Sequence, residues 1–369
     1  MENAPQPKAR LLSLDTLRGF DMFWIIGGDV FFLALAKVTG WGWAGQWAAQ
    51  LEHVEWRGFH FYDLIFPLFM FISGVAMPFS LLAKAESGAD RKVLYAKLVR
   101  RALLLVFLGF VYNHLLDLDF RTQRYASVLG QIGLAYLFAA LIMLNVGSVR
   151  GRIAALVAIL GGVAAAQWLV PVPGVGAGVF TPEGTINGFT DRLLLPGRLY
   201  DKIFDPEGLL CILSATSVTL MGGLAGGVLR SGKGSGARKA LTLAAAGAGL
   251  VVAGRVLGIW YPIIKKAWTA SFDIYAAGWS CLLLALFYLA VDVWGLRKWT
   301  FFFRVIGLNS ITIYLGSRMV DFEATSKFLF GGLDRVAGRG NGLVVLAGVI
   351  AVEWLALYFL YKKSVFLRV

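Results

Sequence analysis

The stretch 59–83, FHFYDLIFPLFMFISGVAMPFSLLA, decides the fold. It exceeds the ~20 residues that a helix needs to cross a bilayer. His60 and Asp63 are its only acidic, basic or imidazole side chains. A helix of this length on a soluble domain would carry a polar face, and none is present. Working outward, similar apolar runs recur near 17–38, 102–118, 127–145, 153–172, 208–229, 241–261, 272–294, 301–319 and 342–361. The whole chain is 58% hydrophobic and 15% charged, against roughly 25% charged for a soluble domain. The excess apolar surface must face lipid, and 44 glycines suit closely approaching membrane helices. The expectation is an all-α, polytopic integral membrane helical bundle of about ten transmembrane helices, forming one transmembrane domain over 1–369.

Orientation follows from Lys and Arg, which favour cytoplasmic loops. One set of loops carries Lys8, Arg10, Arg18, the 84–101 cluster with Arg100 and Arg101, Arg150, Arg152, Arg230, Lys233, Arg238, Lys239, Arg297, Lys298, Lys362, Lys363 and Arg368. The opposite set carries Arg57, Arg121, Arg124, Arg192, Arg198, Lys202, Lys265, Lys266, Lys327, Arg335 and Arg339. The division is 20 to 11. It puts both termini in the cytoplasm, with a tail at 1–12, and leaves extracytoplasmic loops at 39–58, 171–207 and 321–341. The net charge of +13 is then explained by membrane insertion rather than by nucleic acid, which is not an expected partner. The run that opens the chain is too long for a signal-peptide core and reads as a retained first span. No soluble domain accompanies the bundle, so chemistry must lie in the bundle or its loops. Cys211 and Cys281 lie inside apolar runs, which predicts neither a disulfide framework nor a metal site.

The densest polar cluster is Glu52-His53-Val54-Glu55-Trp56-Arg57-Gly58, followed by Asp63. It falls where an outer loop enters the second span. An imidazole titrates near ~6.5 and suits proton transfer at neutral pH; the plain alternative is a histidine in a wet loop. Carboxylates at Asp29, Glu52, Glu55 or Asp63 are placed to orient it. Ionisable and amide groups at membrane depth, among them Asp21, Asp29, Asp117, Gln131, Arg255, Arg304, Asn309 and Glu353, usually face a cavity or a partner. Asp15 and Arg18 are three apart on one helix face and make a plain ion pair there.

Several motifs in order resemble one family. Ser13-x-Asp15-x-x-Arg18-Gly19 opens the chain; His53-x-x-Trp56-x-Gly58, Asp63-Leu64-Ile65-Phe66-Pro67 and Phe71-Ile72-x-Gly74 follow. Then come Arg124 with Val128-Leu129, Asp191-Arg192-Leu193-Leu194-Leu195, Asp205-Pro206-Glu207-Gly208-Leu209, Lys265 with Trp268 and Ser271, Asp292-Val293, and Asn309-Ser310 before Tyr314. Together they resemble the heparan-alpha-glucosaminide N-acetyltransferase family and its bacterial relatives, from Arg10 to Lys363. The resemblance implies transfer of an acetyl group from cytosolic acetyl-CoA to the amine of a glucosamine unit on the extracytoplasmic side. It maps the family's active-site histidine to His53. The chain departs from the animal enzyme in having Asp29 where that enzyme has Asn and Gly130-Gln131 where it has Gln-Arg, and in lacking the long luminal N-terminal domain. A bacterial inner membrane protein is the expectation.

On this reading His53 is the general base or the transient acetyl carrier, with Asp29 and Asp63 as catalytic partners. Arg18 and Arg304, with Arg100 and Arg101 as further candidates, meet the phosphates of acetyl-CoA. Asn309, Ser310 and Gln131 are the donors for the thioester oxygen. Trp56, Asp205, Glu207, Lys265 and Trp268 bind the amino-sugar substrate. No metal is expected, membrane lipid surrounds the bundle, and a homodimer is among the expected assemblies. Two other functions fit the same residues: a transporter or flippase of a sugar-linked substrate, and an O-acetyltransferase of cell-envelope glycan.

Overall fold

A computed structural model of the protein describes residues 11–337 and 341–367. Most of the tail at 1–12, with Lys8 and Arg10, lies outside the described residues, as do Arg339 and Arg368. The described chain is helical, and its only β-type pairings are the isolated bridges Arg124–Gly197 and Val172–Gly176. Among the described residues eight helices are long and apolar enough to cross a membrane: α1 (Leu12–Thr39), α3 (Phe61–Glu86), α5 (Val128–Asn145), α6 (Val149–Leu169), α8 (Leu209–Arg230), α9 (Gly236–Leu257), α10 (Ala270–Val293) and α14 (Leu343–Lys362). Among the described residues there are also the α-helices α2 (Gly42–Leu51), α4 (Arg91–Tyr112), α7 (Ile186–Leu194), α11 (Thr300–Leu308), α12 (Ser310–Met319) and α13 (Phe322–Ala337). An all-helical chain with eight such helices is an integral membrane protein.

Two expected spans take a different form. The run at 102–118 belongs to α4, whose first half carries Arg91, Lys92, Lys97, Arg100 and Arg101 and which stops at Tyr112. Beyond it His114 and Leu118 adopt left-handed backbone, so the polar end of that run is a turn. The run at 301–319 is broken at Asn309 (φ −125°, ψ 32°) into α11 and α12, each too short to span alone. Three of the connecting loops are more ordered than their composition suggests. Segment 39–58 holds α2, 171–207 holds α7, and 321–341 holds α13. The last exposes Phe328 and Val336, apolar side chains that suit a membrane surface rather than water.

The centre of the bundle is α3 against α8, flanked by α5 and α10. Leu68, Phe71, Ile72, Cys211, Ala215, Val218, Phe272, Ala276 and Leu284 form its core. In α8 72% of the apolar window is buried, whereas in α6 and α9 the shares are 11% and 22%, which places those two on the lipid-facing periphery. The α3–α8 contact is a glycine contact. A Cβ at Gly222 would sit 2.0 Å from the Phe71 carbonyl oxygen, and one at Gly74 would sit 1.9 Å from that of Thr219. Lipid gives helices no hydrophobic reason to associate, so such backbone approach supplies the packing energy. Gly222→Val should therefore force α3 and α8 apart at a cost of about 1–3 kcal/mol or more. A lowered thermal midpoint in detergent checks this; an unchanged midpoint would remove the contact from the account.

Candidate functional site

The second span starts at a capped helix end. Asp63, fully buried in the first turn of α3, accepts from the backbone N–H of His60 (3.0 Å) and of Val54 (3.5 Å). This folds segment 53–60 back over the helix start. His53 thereby lands on the same carboxylate, with Nδ1 2.7 Å from Asp63 Oδ1. The Asp63–Nδ1 bond places the ring proton on Nδ1 and leaves Nε2 as the acceptor. The imidazole is 48% exposed although its carboxylate is fully buried, so a substrate can reach it.

A third group comes from far along the chain. Gly58, at φ +126°, donates its N–H to Ile263 O at 3.0 Å. That bond stitches the 53–60 segment to the loop that precedes α10. Lys265 Nζ then lies 3.3 Å from Asp63 Oδ1, 3.0 Å from His53 Nδ1 and 3.3 Å from His53 Nε2. Burial pushes the Lys265 amine below its ordinary range, and Asp63 opposes that shift. The loop is rigid for identifiable reasons. Gln167 and Asn187 both donate to Ala267 O (2.9 and 3.1 Å), Tyr261 hydrogen-bonds Gln167, and Thr269 and Ser271 both donate to Pro262 O (2.9 and 3.0 Å).

Asp29 lies close to Tyr62, whose ring lies against His53 with centroids 4.8 Å apart. Glu52 and Glu55 are exposed, and the carboxylate on the imidazole is Asp63. His60 turns its Nδ1 to the Glu52 carbonyl oxygen at 2.8 Å and so braces the loop.

The residues assigned to the sugar fall into two groups. Lys265 is on the His53 cluster. Asp205 is wholly buried under Arg124, which grips it with Nε and a terminal nitrogen at 2.8 and 2.5 Å and also pairs with Glu207. Trp56 donates its indole N–H to Phe180 O (2.8 Å) and lays an edge on Phe204, which pins the 171–207 loop. Trp268 is 1% exposed and sits edge-on between Phe66 and Phe272, so its ring faces protein and offers no open face to a sugar. Asp191, also fully buried, accepts from Asp205 N–H (3.2 Å) and Leu209 N–H (3.1 Å) and caps the start of α8.

At the other end of the bundle a cavity of about 1950 Å³ opens among the ends of α1, α3, α6, α8 and α9. Arg18, Arg152, Arg230, Lys233, Arg238 and Lys239 line it, together with Asp15 and Glu86. Its walls reach inward to Phe71, Met221 and Cys281. Of the expected coenzyme ligands, Arg18 lines this cavity, while Arg304, Asn309, Ser310 and Gln131 do not. Gln131 donates to Cys211 O (3.1 Å) inside the core, Ser310 to Gly307 O (2.9 Å), and Asn309 sits at the break between α11 and α12. The other five basic residues were readable only as topology anchors, because they come from two loops separated by long apolar runs. Among the described residues no group of His, Cys, Asp or Glu is arranged to hold a metal ion.

Residues 10–172 match the family described as "Domain of unknown function (DUF5009)". The chain is similar to heparan-alpha-glucosaminide N-acetyltransferase of Homo sapiens, 26% identical over 98% of this chain and 60% of that protein. The Mus musculus protein of the same name is 25% identical over 99% of this chain and 62% of its own length. The chain thus spans about three fifths of the curated relatives it matches, and the resemblance read from the motifs extends across nearly all of it.

The Asp191 cap sets a pH dependence. Burial pushes its carboxyl up to about 6, against ~3.9 for a free aspartate. Between those values the unfolded chain has already lost a proton that the folded chain keeps. Stability from this group therefore falls as pH rises from ~4 to ~6 and is level above that window. Thermal midpoints in detergent across the window should show this fall. Asp191→Asn should flatten it, and a slope unchanged in that variant would contradict the assignment.

Proposed function

We propose that the protein is a transmembrane acetyltransferase that moves the acetyl group of cytosolic acetyl-CoA to the amine of a glucosamine-type sugar on the extracytoplasmic side. One observation carries this reading: an exposed imidazole, oriented by a buried carboxylate and a lysine, lies at one end of the bundle, and a basic cavity lies at the other. The names of the relatives support the acetyl donor and the amino-sugar acceptor. On this reading the bundle has ten crossings, with α4 and the α11–α12 pair completing the eight, and both termini are cytoplasmic. A bacterial inner membrane is the location that goes with it.

The cavity suits a coenzyme with several phosphates and an uncharged arm. Six cationic side chains line it together with the apolar Leu14, Phe71, Met221, Val228 and Leu250. Phe71 is eight residues beyond Asp63 on α3, so the cavity's inner end stands ~12 Å below the His53 cluster at 1.5 Å per residue. That gap, not the full thickness of the membrane, is what the thioester arm must cross.

At the outer end Nε2 of His53 takes the proton of the acceptor amine as the new C–N bond forms. Asp63 holds the resulting imidazolium, and Lys265 stabilises the negative charge that develops on the thioester oxygen. The C–S bond breaks and the coenzyme thiolate leaves with a proton. In the covalent variant His53 first accepts the acetyl group itself and then passes it to the amine. An amide from Gln131 or Asn309 reaches the oxygen only after rearrangement, since both are packed in the core.

His53→Ala should lower kcat by roughly 10²–10⁴-fold while leaving the Kd for acetyl-CoA within a few-fold. Purified variant and wild type are compared for acetyl-CoA binding and for acetylation of glucosamine, with N-acetylglucosamine as the acceptor that tests O-transfer. Near-normal turnover in His53→Ala would remove it from the mechanism. Arg152→Ala and Lys239→Ala should do the reverse, raising the KM for acetyl-CoA with kcat little changed. An unchanged KM in both would place the coenzyme elsewhere.

A further inference from the structure

Between the outer cluster and the inner cavity lies a small polar knot that neither site uses. Ser214 Oγ is 2.7 Å from the Trp268 carbonyl oxygen and 2.6 Å from Asp273 Oδ2. Ser217 Oγ is 3.0 Å from the same Oδ2. All four residues are buried, and Asp273 Oδ1 has no hydrogen-bond partner. Along α8, Ser214 precedes the cavity-lining Met221 by seven residues; along α10, Asp273 precedes the cavity-lining Cys281 by eight. On the other side Trp268 packs on Phe66, three residues below Asp63. The knot therefore occupies the layer that closes the cavity off from His53.

The hydrogen count of this knot is restrictive. A serine hydroxyl has one proton to give, and a backbone carbonyl can only accept. Ser214 satisfies Trp268 O only by donating to it. The 2.6 Å contact with Asp273 is then a bond only if Asp273 is the donor. An ionised Asp273 would put two acceptors against one proton and leave Oδ1 a charged, unpartnered atom inside the membrane, where charge is most costly. Among the described residues no cation pairs with it. Trp268 itself is held at φ 45°, a left-handed conformation that a bulky residue adopts only under constraint. Its N–H donates to the Lys265 carbonyl oxygen at 3.0 Å, so the same turn carries the lysine of the outer cluster.

We propose that Asp273 is a neutral carboxylic acid which, through Ser214, latches the Trp268 turn. In doing so it closes the layer between the inner cavity and the His53 cluster and fixes Lys265 beside Asp63. Asp273 and Ser214 are positioning residues. The proposal needs only the fold, so it stands or falls separately from acetyl transfer.

The test uses the purified full-length protein in detergent without acetyl-CoA. Infrared difference spectra of wild type minus Asp273→Asn at neutral pH should show loss of a protonated-carboxyl C=O band that shifts in D₂O. Loss of a carboxylate band instead would overturn the proposal. Asp273→Asn places an NH₂ donor where the acid O–H was and should keep the latch, whereas Ser214→Ala should release it. Cys211 reports on this, because its Sγ lies 3.7 Å from Lys266 O on the same turn. In a Cys281→Ser background, maleimide should label Cys211 faster in Ser214→Ala than in wild type. In Asp273→Asn it should label at the wild-type rate. Labelling as fast in Asp273→Asn as in Ser214→Ala would mean that the knot depends on a carboxylate charge and would contradict the latch. Should Ser214→Ala fail to fold, the infrared band and the labelling rate of Asp273→Asn decide the question alone.

Discussion

The backbone hydrogen bond from Gly58 to Ile263 joins the two loops that make the outer cluster. Without it, His53 would be a histidine at the start of α3 and Lys265 a cation before α10, with no shared carboxylate. Gly58 makes the bond from φ +126°, a conformation that L side chains rarely adopt. Asp63 then serves two purposes. It caps the first turn of α3 by accepting two backbone N–H groups, and it anchors both His53 and Lys265. Fold and chemistry thus share one buried side chain.

The membrane explains why polar groups gather as they do. Charge in hydrocarbon is costly, so most cations and carboxylates lie at the helix ends, basic ones around the cavity and a mixed set around His53. Between the ends, α3, α8 and α10 approach closely through glycine and alanine. Some of the polar groups that remain inside are hydrogen-bonded to one another or to backbone, as in the Ser214–Asp273 knot, whereas both carboxylate oxygens of Asp21 have no such partner.

The all-helical membrane architecture was legible in the sequence, since the apolar runs exceed any soluble need. The number of continuous spans was not. Hydropathy cannot register that Asn309 breaks one run or that the basic half of α4 makes up much of another helix. Within the candidate site, His53 and Asp63 were legible because they are ten residues apart and flank one helix start. Asp29 was read as their partner; the side chain that lies beside both it and His53 is Tyr62, whose phenol carried no signal of its own. Lys265 was read as a sugar ligand; its contact with Asp63 depends on a loop closure that sequence spacing cannot express. Trp268 looked like a stacking surface because its motif lies in an outer loop, yet its left-handed backbone turns the ring inward. The basic cavity was hidden for a different reason: each of its cations other than Arg18 already had a sufficient explanation as a topology anchor.

The central claim is that the donor is used at the basic end and the acceptor at the His53 end. Proteoliposomes of uniform orientation separate these most directly, with acetyl-CoA sealed on one side and glucosamine on the other. The account predicts N-acetylglucosamine formed without mixing of the two compartments, and only when acetyl-CoA is on the side of Arg230 and Lys239. Product formed only when both substrates share one compartment, or with acetyl-CoA on the His53 side, would contradict it.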